Sequence, residues 1–376
     1  MSSKLAILFV AGVAALVAQD MPLDNSVKIN LPPDSPLTLI SANLGESHVS
    51  RRGSAIVLDL DVSLTLHNSS PNRVRGVTLL VAAQEFTPGG KASVSVPSLD
   101  VAPSQNFPVR INLRLLRPAQ MGAGPLVQVN LDGVLFQDYS FYGPNRLDSR
   151  RSMTAWEMEA QRDRKYFKSV LTARGLDGLK QSMIEALNRQ AERPRLDVQV
   201  SRGRAVGSAA APEHNAKFAF LRFPDAPVEP VEGWAEIAGN EARNPRIDVR
   251  NLSGKQVRYV EIDWIVNDRQ GQRFMAGSVP ASGPEFNLKA GGTSRVVQDT
   301  SLRLSKEGGG PVSIAGMTGF VGQVEFADGK VWIPNREALA SAQLLGILEP
   351  SPEEQRLIDL YRKKGPKALA DELNKF

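Results

Sequence analysis

The sequence predicts a mainly β chain: two similar antiparallel β-sandwiches, joined by a helical connector and ended by amphipathic helices. Three observations carry that prediction. The first is a duplicated hairpin. Ile247 to Val266 reads IDVRNLSGKQVRYVEIDWIV, and Leu64 to Val81 reads LTLHNSSPNRVRGVTLLV. A constant offset of 183 residues pairs Ile247 with Leu64, Asn251 with Asn68, Ser253 with Ser70, Arg258 with Arg75 and Trp264 with Val81. A match that needs no gap argues for one β-hairpin used twice. The second observation is a series of short alternating stretches punctuated by Gly, Pro and Asn turns. The third is a change of apolar period, from two to three or four residues, over Asp148 to Arg193 and again in the tail.

A chain of 376 residues has room for two or three domains with cores of their own. At 42% hydrophobic and 23% charged, its composition is that of a globular protein. The net charge of +5 is spread along the chain without interleaved aromatics, which argues against a nucleic-acid partner. No cysteine occurs, so disulfides, thiolate chemistry and a lipid-bearing cysteine are all excluded.

The elements follow in order. Met1 to Lys4 is a short basic start, and Leu5 to Ala18 is an unbroken apolar run of 14 residues. That is too short to span a membrane and suits the core of a signal peptide, here residues 1–18. Export to a periplasmic or secreted location is the expectation, with no membrane span in the mature chain. Residues 26–147 form the first β domain, with turns at Asn68 to Asn72, Thr87 to Gly90 and Asp132-Gly133. Such a pattern suits a sandwich or a barrel.

Residues 148–194 are the helical connector. Met153, Trp156, Ala160, Phe167 and Val170 make one stripe, Gly175 interrupts it, and Leu176, Leu179, Met183 and Leu187 make another before Pro194. Its many charges read as a solvated outer face. Residues 195–334 are the second β domain. The step from Val257 to Val260 breaks its alternation and predicts a bulge in the hairpin strand. The duplication extends further: Val129 to Gly133 resembles Val324 to Gly329, and Pro144-Asn145-Arg146 is repeated at Pro334-Asn335-Arg336.

Residues 335–376 are the helical tail. Ser351 is a helix cap with Pro352 behind it and Glu354 three residues on, and Gly365-Pro366 ends that helix before a shorter last one. Leu357, Leu360, Tyr361, Leu369 and Phe376 form an apolar stripe that is the candidate partner-binding patch. It either docks on the chain itself or meets a partner.

The second repeat resembles the bacterial FxLYD-type domains of envelope proteins. Asn251-Leu252-Ser253 matches their turn, Trp264 to Asp268 stands where F-x-L-Y-D would, and Gly271 matches the following glycine. The resemblance implies an immunoglobulin-like, extracytoplasmic sandwich and brings no catalytic residue.

Motifs for chemistry are sparse. His48, His67 and His214 show no metal-ligand spacing, and neither a G-x-S-x-G elbow nor a phosphate loop occurs. No cofactor or metal is expected. Asp59 with Asp61, and Glu261 with Asp263, share a strand face and read as the solvent side of half-buried strands. Asn68-Ser69-Ser70 and Asn251-Leu252-Ser253 match the glycosylation sequon, but their equivalence in the repeat favours turn chemistry. The expected role is a non-enzymatic envelope protein that binds another protein or a surface polymer through its sandwiches and tail. A hydrolase with a site around Glu157, Glu159 and His214 is the alternative, and a structural spacer is the third reading.

Overall fold

Alternating apolar residues on paired strands bury one face of each sheet, and two such faces closed on each other make a core. The computed structural model describes residues 27–83, 89–119, 125–202, 213–281, 286–297 and 300–376; the expected signal peptide lies outside them. The chain divides into two compact units, Met1–Ser149 and Arg150–Phe376.

In the first unit, β1 (Val27–Asn30), β2 (Leu37–Asn43), β3 (His48–Arg52) and β4 (Ala55–Asn68) precede the hairpin strand β5 (Val74–Ala82). Then come β6 (Lys91–Val96), β7 (Asn106–Pro118), β8 (Val127–Phe136) and the short β9 (Phe141–Tyr142). One sheet runs β1-β8-β5-β6, with β9 also on β8. In the other, β7 follows β4 along its length while β2 and β3 pair with its two halves. Leu58, Leu64, Leu66, Leu79 and Ile111 are fully buried between the two sheets.

Helix α1 (Ser149–Glu192) begins at the last residue of the first unit and otherwise belongs to the second, followed by β10 (Leu196–Arg202), β11 (His214–Lys217) and β12 (Ala219–Phe220). Long strands β13 (Val228–Ala238), β14 (Glu241–Asn251), β15 (Val257–Asp268) and β16 (Arg273–Ala281) come next. β17 (Thr293–Val297), β18 (Thr300–Lys306), β19 (Ile314–Phe326) and β20 (Val331–Trp332) complete the sheets. Helices α2 (Arg336–Ser341) and α3 (Pro352–Leu373) end the chain. The two sheets are β10-β18-β14-β13-β11, with β17 also on β14, and β12-β19-β15-β16, with β20 also on β19. Both units are therefore open two-sheet sandwiches of immunoglobulin-like character, and neither is a barrel.

The duplication is structural. β5 and β15 occupy the same place, each between a longer strand and an edge strand. β1 runs parallel to β8 as β12 does to β19. The bulge expected near Val257 lies between Val257 and Tyr259, and its twin lies between Val74 and Gly76. A second pair of register shifts falls at Glu261/Ile262 and Thr78/Leu79. The second half of the repeat needs one correction. Val77 faces Val134 and Val260 faces Val324, so Val134, not Val129, is the counterpart of Val324. The Asp-Gly similarity that suggested the other register joins unlike places: Asp132-Gly133, expected as a turn, lies inside β8, whereas Asp328-Gly329 is a turn after β19.

Each hairpin turn is closed by the same side chain. Asn68 Nδ2 donates to the carbonyls of Asn72, Val101 and Ala102, at 2.9, 3.2 and 3.1 Å. Asn251 Nδ2 donates to those of Lys255, Leu288 and Lys289, at 2.7, 3.1 and 3.1 Å. Ser70 and Ser253 each donate to the asparagine Oδ1 at 2.7 Å. Both asparagines are buried, so neither sequon presents a free amide in the folded chain.

The second sandwich also carries a helical layer. Gly175, at φ 65°, breaks α1, and Gly365, at φ 81°, breaks α3, as their positions in the sequence suggested. Ser351 caps α3 by accepting the amide of Glu354 at 3.0 Å. Leu357, Ile358, Leu369 and Leu373 pack on Phe167, Leu179, Met183 and Ala186 of α1. The tail thus docks on its own unit.

Replacing either clasp asparagine removes three hydrogen bonds to backbone carbonyls, each of which keeps one other donor. Asn251→Ala and Asn68→Ala are each expected to cost about 3 kcal/mol. Denaturant unfolding should show each loss in the transition of its own unit, and a loss near zero would remove the clasp from the account.

Candidate functional site

Strand β15 has two faces of opposite fate. Val260, Ile262, Trp264 and Val266 enter the sandwich core. Tyr259, Glu261, Asp263 and Ile265 point to the outer face, which the sequence reading left to solvent. The structure corrects that reading, because helices cover this face. Ile265 is fully buried in a cluster with Phe320, Leu339, Leu344 and Ile347. Further along, the cover leaves a cavity of about 380 Å³. Arg151, Ser152, Ala155, Trp156 and Glu159 of α1 line one wall; Tyr259, Glu261 and Asp263 of β15, with Gly322 and Gln323 of β19, line the other.

The three carboxylates are treated unequally. Glu261 is well partnered: Tyr259 donates to it at 2.7 Å, Ser278 donates to its other oxygen, and Arg151 stands 4.0 Å away. The Arg151 guanidinium lies 3.5 Å from the centre of the Tyr259 ring. Glu159 and Asp263 make no hydrogen bond to the described side chains or backbone. Burial lifts the Glu159 carboxyl to about 7, Arg162 opposes the shift, and the charges of Asp163 and Glu261 add to it. Asp263 is raised well above the usual carboxylate range, by burial first and then by Glu261 and Glu159. Asp263 also borders a larger, half-open hollow of about 800 Å³ between β10, β16 and the segment around Ile347. Burial and the Glu261 charge likewise hold the Tyr259 hydroxyl above its ordinary range.

Backbone design makes room for Asp263. A β-carbon on Gly322 would sit 1.9 Å from Asp263 Oδ2, so any side chain there would push the carboxyl from its present place. The register shift at Glu261/Ile262 sets Gly322 between Val321 and Gln323, which take the ladder positions. Gln323 is 9% exposed, and its Nε2 has no hydrogen-bond partner.

Other residues singled out in the sequence lie elsewhere. Glu157 is buried, paired with Arg164 at 2.6 Å, and His214 is exposed on β11. Of the triad Glu157, Glu159 and His214, only Glu159 lines the cavity. The connector's charges are not all solvated either: Asp163, Arg164 and Glu157 are almost fully buried. The tail stripe is spent on packing. Leu357 and Leu369 are fully buried, Leu360 and Tyr361 lie against the same cluster, and Phe376 rests under Arg164. Half-buried Leu360 and Tyr361 and the exposed Phe376 are the part of the stripe left at the surface. Asp59, paired with Arg114 and His48, and Asp61 remain on an open strand face as expected. Among the described residues no group of His, Cys, Asp and Glu is arranged to hold a metal ion, and no helix is long and apolar enough to cross a membrane.

No protein-family model and no curated protein matches the chain. Among solved structures it aligns with red sea bream transglutaminase at 9% identity and a TM-score of 0.13, over 76% of this chain and 31% of that one. It also aligns with the glucose complex of a β-glucosidase from Kluyveromyces marxianus, at 9% identity and a TM-score of 0.16, over 76% and 47%. The chain spans less than half the length of either, and overlaps that loose transfer neither fold nor chemistry.

A carboxyl with a raised folded-state pKa binds its proton more tightly in the folded chain. Folding stability therefore falls as pH rises from the unfolded value, 4.5, to about 7 for Glu159. Asp263 acts in the same direction. Glu159→Gln is expected to flatten that slope and to stabilise the protein by about 2 kcal/mol at pH 8. Urea unfolding across this range checks it, and an unchanged slope in the variant would contradict it.

Proposed function

We propose that the chain is a non-enzymatic, exported envelope protein that takes hold of an envelope protein or surface polymer through the cavity under α1. The observation that carries the reading is this half-open cavity, into which partnered and unpartnered polar groups converge, the usual form of a ligand site. The duplicated frame adds to it. The first repeat has the same bulged hairpin with Thr78 and Leu80 where the second has Glu261 and Asp263, so the sandwich does not require acids there. Export rests on the apolar run from Leu5 to Ala18 behind a basic start. The FxLYD-like features around Asn251 and Trp264 favour the same compartment. Binding is assigned to the second sandwich because Leu357 and Leu369 of the tail stripe are buried against α1.

A hydrolase is the second reading, and one observation favours it. Glu159 sits near neutrality beside the partnered Glu261, the separation of roles an acid–base pair needs.

Co-sedimentation with isolated envelope polymer and membrane fractions separates the two. The binding reading expects the full chain to sediment, the Glu159→Gln/Asp263→Asn variant to lose roughly tenfold in affinity, and no soluble fragments to appear. Fragment release would establish the hydrolase. Equal sedimentation of both proteins would remove the cavity from function.

A further inference from the structure

Two carboxyls and an amide meet in the cavity with nothing to satisfy them. Glu159 comes from α1, Asp263 from β15 and Gln323 from β19, and each lacks a hydrogen-bond partner among the described residues. Burying an acid without a cation raises its free energy in the charged form, and here the protein supplies little relief. Arg162 is the cation that bears on Glu159, and Arg151 is committed to Tyr259 and Glu261. Asp163, Glu261 and the two acids themselves add negative charge. A ligand that brought positive charge would discharge that cost.

We propose that the cavity binds a compact organic cation, a primary ammonium with a hydrogen-bond acceptor next to it, held between Glu159 and Asp263 beside Trp156. The inference rests on the binding function proposed above and names the chemical group recognised. An ammonium has three N–H donors to divide between two carboxylates, and an indole ring adds cation–π attraction. The Nε2 donor of Gln323, which an ammonium alone would leave idle, calls for the neighbouring acceptor, a hydroxyl or a carbonyl. A metal ion is the poorer fit, since the acids are not grouped to share one. A neutral polyol would leave the charge cost in place. The first repeat again gives the contrast: the residues at the corresponding ladder positions are Thr78, Leu80 and Gly133, which offer none of this chemistry.

Binding of a cation must release protons from the two acids, and that linkage makes the proposal measurable. Ethanolamine is the probe, and ethylene glycol is its uncharged counterpart. Calorimetric titration of the full chain near pH 6.5, in buffers of different ionisation heat, should show ethanolamine binding with a buffer-dependent enthalpy. Ethylene glycol should not bind. Affinity for ethanolamine should rise roughly tenfold between about pH 5.5 and 7.5. Asp263→Asn, which keeps shape and loses charge, should weaken binding at least about tenfold without lowering thermal stability. Glu159→Gln provides the same test if that variant does not fold. Equal binding of the two probes, or an enthalpy independent of buffer, would overturn the proposal. If ethanolamine fails while envelope polymer still sediments with the chain, this inference falls and the binding function stands. If neither is retained, both fall.

Discussion

Both sandwiches hang on a buried asparagine side chain. In each unit one amide nitrogen gathers three backbone carbonyls from two separate segments, and one serine hydroxyl fixes the amide's other end. Those carbonyls lie where the hairpin turn meets the following loop, beside the single bridges Val74–Val101 and Val257–Leu288. Each carbonyl also accepts from a backbone amide or from the turn serine, so the asparagine adds a second donor that ties the two segments together. The clasp fixes where the strand after the turn begins, and the bulges that follow come at the same positions in both repeats.

On that shared frame the second unit has diverged at its outer sheet face. Its sheet is covered on both sides, by the opposite sheet and by a layer of helices. Covering the second face brought charge inside. Asp163 accepts from Arg336 and Ser351, both at 2.6 Å, and Arg336 reaches on to Glu354. Glu157, Arg164, Glu353 and Arg356 form a second chain of pairs. These acids each have a cation, as buried charges ordinarily must. Glu159, with only the more distant Arg162 charge to offset it, and Asp263 make no ion pair among the described residues, and that sets them apart as a site.

Much of this was legible in the sequence, for identifiable reasons. The hairpin repeat, the bulge after Val257, the breaks at Gly175 and Gly365 and the cap at Ser351 are local features, set by residues a few positions apart. The fold class followed from them. The cavity was only half legible. Glu261 and Asp263 were visible as a same-face pair, and Glu159 as a connector acid, but their meeting depends on α1 lying over β15. Periodicity reports which face of a strand is apolar and cannot report that a helix covers the polar one. The tail stripe failed for the same reason: Leu357 and Leu369 look alike whether they await a partner or already have one. Gly322 was the missed signal, a glycine inside a strand where an approaching side chain needs the space.

Glu159 and Asp263 lie on the covered face with raised affinity for protons and no hydrogen-bond partner among the described residues. Carbon-detected NMR titration of the side-chain carboxyls tests that raised affinity most directly. The account predicts that Glu159 titrates at about 7 and that Asp263 stays protonated beyond the ordinary carboxylate range. Titration of both near 4, as for exposed acids, would contradict it.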